Sequence, residues 1–234
     1  MRLTVLGKYG PYPQPGGCCS GYLIETGDAT VAVELGCGTL SRLLEVCPIK
    51  KLDAVLLSHG HYDHCGDVPI LGYALEQGQG RGRLPLYAPE EISGASAKAF
   101  AMHLLSDGDK FHIGSLQIDV FGVQHSMKGF GMFFRDKAGR ALCYTGDTCY
   151  FDALPQLCAG ADVLLADVCL LEEPDSGAKF HLTAGEAGEL AVKSGCGKLL
   201  CTHIWGGGSD EKALLQRTGI ENAQVVQEGC TYEI

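Results

Sequence analysis

Leu52-Asp53-Ala54-Val55-Leu56-Leu57 runs directly into Ser58-His59-Gly60-His61-Tyr62-Asp63-His64, and this junction governs how the rest of the chain is read. The first part is a short apolar run of the length of a buried strand. The second puts three imidazoles and a carboxylate within six positions, a grouping that would lose its hydration uncompensated in a packed core. A strand ending in a polar turn holds the next side chains at its tip, where α/β sheets place their sites. Imidazole and carboxylate together suit Zn, Mn or Fe, so the stretch predicts a metal site. The bland alternative is a solvated His-rich tract. Against it, these histidines are interleaved and strand-anchored rather than contiguous.

One turn cannot saturate two metals, so further ligands must come from elsewhere. The same pattern, apolar strand then ligand-type residue, recurs down the chain. Val120-Phe121-Gly122-Val123-Gln124 leads into His125-Ser126; Ala141-Leu142-Cys143-Tyr144 into Thr145-Gly146-Asp147-Thr148; Lys198-Leu199-Leu200-Cys201 into Thr202-His203. Singly, a His after a strand is more often packing or surface. The recurrence makes His125, Asp147 and His203 candidates as a set. His103 and His112 lack it and are read as structural.

Periodicity predicts strands near 2–6, 21–25, 30–35, 53–57, 85–88, 116–122, 130–135, 140–145, 162–166, 198–202 and 224–226. Helices are predicted near 38–46, 67–77, 91–104, 150–159, 183–194 and 210–217. Thr183-Ala184-Gly185-Glu186 is a capping box opening one helix, and Gly27-Asp28 joins a hairpin. The mixture suggests two β-sheets face to face with helices outside. No linker or repeat divides residues 1–234, which are read as one domain.

At 234 residues the chain buries roughly 70–75% of its unfolded surface and needs no disulfide staples. Its twelve cysteines include no Cys-x-x-Cys pair, and most sit in apolar runs where free Cys acts as a small hydrophobe. Cys65 and Cys149 flank candidate ligands and are read as packing beside them. The N-terminus enters a strand without a signal-peptide apolar region, and no apolar run approaches a bilayer span. A cytoplasmic protein with no membrane partner is expected. The formal net charge of −10 disfavours a long nucleic acid, whose binders carry basic patches. Arg81 and Arg83 form the one local basic cluster, read as a solvated loop ahead of a phosphate contact.

His59-x-His61-x-Asp63-His64, then His125, then Gly146-Asp147-Thr148, then Thr202-His203 resembles the motif order of the metallo-β-lactamase-fold hydrolases, over almost the whole chain. The resemblance implies an α/β (α+β) fold, a four-layer αββα sandwich, with two divalent cations at one edge. Zn is the foremost candidate and Mn or Fe are also admitted. By position it implies His59, His61 and His125 around one metal, Asp63, His64 and His203 around the other, and Asp147 bridging. The family's usual Asp in the second hairpin is Glu34 here, which puts a supporting hydrogen bond in doubt.

His181-Leu182-Thr183-Ala184-Gly185-Glu186-Ala187 is similar to an element of the ribonuclease Z branch, as is His125-Ser126 with Gly129-Phe130-Gly131. This similarity implies that His181 faces a scissile phosphate, with Glu186 a candidate to orient it. His181 and Asp63 are the catalytic candidates. The projecting tRNA-binding arm of that branch has no room between Ser126 and Gly146. The chain therefore resembles the small bacterial phosphodiesterases, with a small phosphodiester or short oligonucleotide as substrate and a homodimer possible. The rival expectation is a carbon-ester, thioester or lactone hydrolase of the same fold; a ribonuclease Z-like nuclease is another. Trp205, followed by Gly206-Gly207-Gly208, is read either as a base-stacking residue or as part of a flexible loop.

Overall fold

The computed structural model describes residues 1–172, 174 and 177–234. In chain order the first half forms β1 (Arg2–Gly7), β2 (Tyr9–Gly10), β3 (Gly21–Glu25), β4 (Thr30–Leu35), β5 (Ala54–Leu56), β6 (Leu84–Ala88) and β7 (Phe100–Leu104). The second half adds β8 (Lys110–Ile113), β9 (Leu116–Gly122), β10 (Phe130–Arg135), β11 (Ala141–Tyr144), β12 (Val163–Asp167) and β13 (Lys198–Thr202). β14 (Ile204–Trp205), β15 (Gln224–Val225) and β16 (Thr231–Glu233) complete the strands. The helices are α1 (Thr39–Val46), α2 (Tyr62–Cys65), α3 (Val68–Ala74), α4 (Leu154–Leu157), α5 (Ala184–Ser194) and α6 (Glu211–Thr218).

Two seven-stranded sheets result, ordered β16-β1-β3-β4-β5-β6-β7 and β15-β13-β12-β11-β10-β9-β8, with β14-β2 as a separate ribbon. Successive side chains of a strand point to opposite faces, and β4 shows the consequence. Val31 and Val33 enter the core between the sheets with Met132, Phe134 and Leu165. Ala32 enters a second core under α1 and α3 with Leu40, Leu43 and Leu71, and Leu35 joins it because the register shifts at left-handed Glu34. On the far side Leu164, Leu199 and Cys201 pack against Leu190 of α5 and Leu214 of α6. The layers are therefore helix, sheet, sheet, helix, the expected αββα sandwich. Each fully buried Leu or Phe stabilises it by roughly 1.5–3 kcal/mol.

α5 starts where the sequence places it. Thr183 accepts a hydrogen bond from the Glu186 amide, and the Glu186 carboxylate accepts from the Thr183 amide. The helix stops at Gly195, whose φ of 68° is left-handed. Gly188 lets α5 lie on α6, because a Cβ there would stand 1.9 Å from the Thr218 carbonyl oxygen.

Three predicted helices change. The helix predicted over 91–104 is a turned segment followed by β7, which pairs parallel with β6 from Leu84↔Phe100 to Ala88↔Leu104. The sheet's open edge outweighs the local preference of Ala97-Lys98-Ala99 for helix. The one over 150–159 shrinks to α4, with Pro155 in its first turn. The one over 67–77 ends at Ala74 and passes into a wider turn broken at Gly78, φ 81°. β8 and β16 extend the sheets beyond the predicted strands. Arg81 and Arg83 are exposed, as expected of a solvated loop, and they also anchor it. Arg81 donates to the Leu52 carbonyl and Asp53 Oδ1, and Arg83 donates twice to the Phe100 carbonyl, so together they fasten this loop. Among the described residues no helix is long and apolar enough to cross a membrane.

Candidate metal centre

Strand direction brings the candidates together. β11, β12 and β13 run parallel. β9 runs the same way, because both it and β11 are antiparallel to β10. His125, Asp147, Asp167 and His203 therefore emerge at one rim of one sheet. In the facing sheet β4 and β5 are parallel, which carries Glu34 and the His59–His64 turn to the same rim. The crevice outside the carboxyl ends of strands is where such folds hold ligands.

Seven predicted ligands converge there. His59 Nε2 lies 2.9 Å from His61 Nδ1, and His125 Nε2 lies 3.1 Å from that same atom. His203 Nε2 is 3.2 Å from Asp63 Oδ2, and His64 Nε2 is 3.5 Å from it. Asp147 Oδ2 sits between the groups, 3.2 Å from His203, 3.3 Å from His64, 3.7 Å from His59 and 4.0 Å from His125. Cavity residues around them include Pro11, Tyr62, Ser126 and Phe180, in a space of about 360 Å³.

The donor set fits divalent cations on three counts. Imidazole nitrogens face one another at spacings close to the ~3.3 Å that tetrahedral ligands about 2.0–2.1 Å from Zn would take. Both ring nitrogens of buried His64 and Asp147 Oδ1 lack hydrogen-bond partners, an arrangement that leaves buried polar atoms unsatisfied unless something else engages them. The carboxylates also concentrate negative charge. Burial disfavours the charged form of His64, yet Asp147 and Glu34 pull it up to about 10. Burial likewise opposes a charge on His203, and Asp147 and Asp167 override it. A field that attracts protons this strongly also attracts a divalent cation, which competes for the same nitrogens.

Supporting contacts set the rings. The Phe180 carbonyl accepts from His125 Nδ1 at 3.1 Å, which leaves Nε2 facing inward. Ser58 Oγ is 2.9 Å from His59 Nδ1. Glu34 meets the doubt raised by its departure from the family's Asp: Oε1 accepts from the Ser58 amide at 3.0 Å and lies 3.6 Å from His64 Nδ1. The longer side chain goes with a left-handed backbone at Glu34, φ 59°, and His203 is left-handed too, φ 53°. Such conformations outside glycine store of order 1–3 kcal/mol and cluster at functional sites.

His181 stands on the same cavity, 5.0 Å from the His203 ring and 5.3 Å from that of His125. Glu186 does not orient it. That carboxylate is taken by the capping box and by Lys179. Instead Asp167 Oδ2 accepts from His181 Nδ1 at 2.8 Å, and Asp167 Oδ1 lies 3.4 Å from His203 Nδ1. Asp167 is itself fixed by the amides of Thr148 and Cys169. Burial works against a charge on His181, but Asp167 and then Asp147 raise it above its ordinary value. Asp167 was missed, although Val163-Leu164-Leu165-Ala166-Asp167 is the same strand-then-ligand pattern that marked the others. Cys65 and Cys149 stay outside the cluster; their thiols point to Gly60 O and Gln124 Oε1. His103 stacks on Tyr87 at 4.6 Å, a packing role.

Residues 16–204 match the model of the β-lactamase superfamily domain. The chain belongs to the metallo-β-lactamase superfamily. As such it is a metallo-hydrolase, and the family implies divalent metal ions. It is 31% identical over 213 residues to the probable metallo-hydrolase YhfI of Bacillus subtilis, covering 87% of each chain. The crystal structure of YhfI superimposes with a TM-score of 0.91 over 99% of this chain and 98% of that one, at 27% identity. Ribonuclease Z of Mycobacterium bovis is 28% identical over 239 residues, covering 87% of this chain and 85% of that one. A diphosphatase of the PhnP family shares the fold at a TM-score of 0.75, with 20% identity and coverage of 100% and 97%.

Proposed function

We propose that this metallo-hydrolase is a phosphodiesterase acting on cyclic nucleotides or other small phosphodiesters at a dinuclear site. The observation that carries the reading is His181. His181 lines the cavity beside the ligand cluster, and the buried Asp167 carboxylate on its Nδ1 favours its cationic form. A carbon-ester hydrolase needs no such cation, whereas a phosphodiester presents both anionic oxygens and a leaving oxygen that must gain a proton. His59, His61 and His125 would hold one cation, Asp63, His64 and His203 the other, and Asp147 both.

When bound, the cations supply an acidified water and positive charge for the oxyanion that develops in the transition state. The chain's own groups do the rest. Asp63 is buried, which opposes ionisation, but the His203 hydrogen bond and the charge of His64 hold its carboxyl below the usual value. It is therefore ionised at neutral pH and takes up the proton of the attacking water. His181 donates its proton to the departing ribose oxygen, and Asp167 keeps its Nδ1 occupied so that Nε2 does so. Between His125 and Asp147 the chain forms β10, β11 and a short turn, which supports a small substrate over a tRNA.

The test is hydrolysis of bis-p-nitrophenyl phosphate and cyclic nucleotides beside a panel of lactones and thioesters. Phosphodiester turnover should dominate, and His181→Ala should lower it roughly 10²-fold or more. Faster hydrolysis of a lactone or thioester would overturn the reading, and an undiminished His181→Ala variant would remove its acid.

A further inference from the structure

Behind the ligand cluster lies a donor set that the dinuclear centre does not use. Cys169 Sγ and one ring nitrogen each of His181 and His203 lie within 4.8 Å of one another. Shifts of about 1 Å would bring all three onto one tetrahedral cation, whose nitrogen and sulfur ligands stand roughly 3.3–3.6 Å apart. The two rings are already stacked, 5.0 Å between centroids and 16° from parallel.

His203 divides its nitrogens between two neighbourhoods. Nε2 faces Asp63 and Asp147, 3.2 Å from each. Nδ1 lies 3.4 Å from Asp167 Oδ1, buried and without a hydrogen bond. Such a nitrogen stays unsatisfied unless a further group engages it. Cys169 is buried, and burial holds its thiol above its ordinary value, so it is protonated and inert at neutral pH. The trio is nevertheless reachable. His181 lines the catalytic cavity, and Cys169 lines a separate one of about 340 Å³.

We propose that Cys169, His181 and His203 form a further, inhibitory metal site for a thiophilic divalent cation such as Cd, or Zn in excess. On binding, the thiol proton and any proton on the bound His181 nitrogen leave to solvent. His203 takes the cation through Nδ1, and its ring proton moves to Nε2, which donates to Asp63 Oδ2. Occupancy thus withdraws His203 from the cation at Asp63 and His64, and His181 from the leaving oxygen. Thiolate favours soft cations, whereas Mn prefers oxygen ligands and leaves the site alone. The loss of turnover rests on the phosphodiesterase reading; the binding of the cation does not.

Cadmium tests this, because its bond to a thiolate absorbs in the ultraviolet and reports Cys169 without catalysis. Protein incubated with Mn is titrated with Cd for the wild type, Cys169→Ser and His181→Ala, with circular dichroism to check folding. The wild type should show one saturable equivalent of cadmium–thiolate absorption that Cys169→Ser lacks; the other cysteines are common to both and cancel in the difference. His181→Ala keeps the thiol but should bind this cadmium roughly 10-fold more weakly or worse, since even a partner behind a ligand is worth that much. Should Cys169→Ser fail to fold, His181→Ala carries the test alone. In phosphodiester turnover, the cadmium concentration that halves the rate should be at least about 10-fold higher for Cys169→Ser than for the wild type.

Identical absorption in the wild type and Cys169→Ser, or unchanged cadmium affinity in His181→Ala, would overturn the site. Equal inhibition of both enzymes would place the inhibitory cadmium in the dinuclear centre and overturn the proposed effect. If no phosphodiester were hydrolysed while the absorption still required Cys169 and His181, the phosphodiesterase reading would fail and the metal site would stand.

Discussion

One hydrogen bond of 2.8 Å between Asp167 and His181 decides which ring nitrogen faces the cavity. Because Asp167 raises the affinity of His181 for its proton, the acid form extends to higher pH than in an unpaired imidazole. Asp167→Asn removes that charge, so the alkaline limb of the pH–rate profile should move to lower pH and kcat should fall roughly 10²-fold. A profile that keeps its alkaline limb would deny Asp167 this role. Close backbone approach matters at the same scale. A Cβ on Gly10 would stand 2.1 Å from His203 Nε2, so Gly10→Ala should displace that ring and lower bound metal in an otherwise folded chain, as metal analysis beside circular dichroism would show. Every ligand candidate was legible because its chemistry is local: a polar donor at the tip of an apolar strand. The Phe180 carbonyl was not, since it acts through His125, whereas Asp167 carries the same signal at the tip of β12 and only its contact with His181 needed the fold. Which of two acids, Asp167 or Glu186, reaches His181 depends on the capping box that occupies Glu186.

At the scale of elements, caps and turns were read well, and edge strands were not. The Thr183–Glu186 box forms as the spacing dictates, because its two hydrogen bonds close within four residues. Thr183→Ala should cost about 1 kcal/mol and lower Tm by roughly 2–4 °C for a chain of this size, measurable by calorimetry. β7 was misread as helix because its pairing partner β6 lies elsewhere in the chain and no local signal announces it. The turn between β10 and β11 carries its own titration. Asp136 is buried, which opposes ionisation, but Arg140 and neighbouring amides bring it down to about 2. A depressed carboxyl contributes stability above its unfolded value near 4, and loses it as pH falls from there toward 2. Asp136→Asn should therefore narrow the stability difference between pH 5 and pH 2.5 in urea titrations, while an unchanged difference would place the acid sensitivity elsewhere.

For the whole molecule, the sandwich follows from faces. Strands such as β4 are apolar on both sides, so each sheet must be covered twice, once by its partner sheet and once by helices. That much was readable from the apolar runs. The rim site was readable only from order and spacing, since convergence depends on four strands of one sheet sharing a direction. The central claim is that loops far apart in sequence jointly bind a pair of cations, with Asp147 common to both. It is tested most directly by counting metal per chain in purified protein by inductively coupled plasma mass spectrometry, for the wild type and for Asp147→Asn. About two divalent cations per chain, falling to nearly none in a variant with unchanged circular dichroism, is the expected result. A folded wild-type chain that retains no metal after incubation with Zn, Mn or Fe, or a variant that binds as much as the wild type, would contradict it.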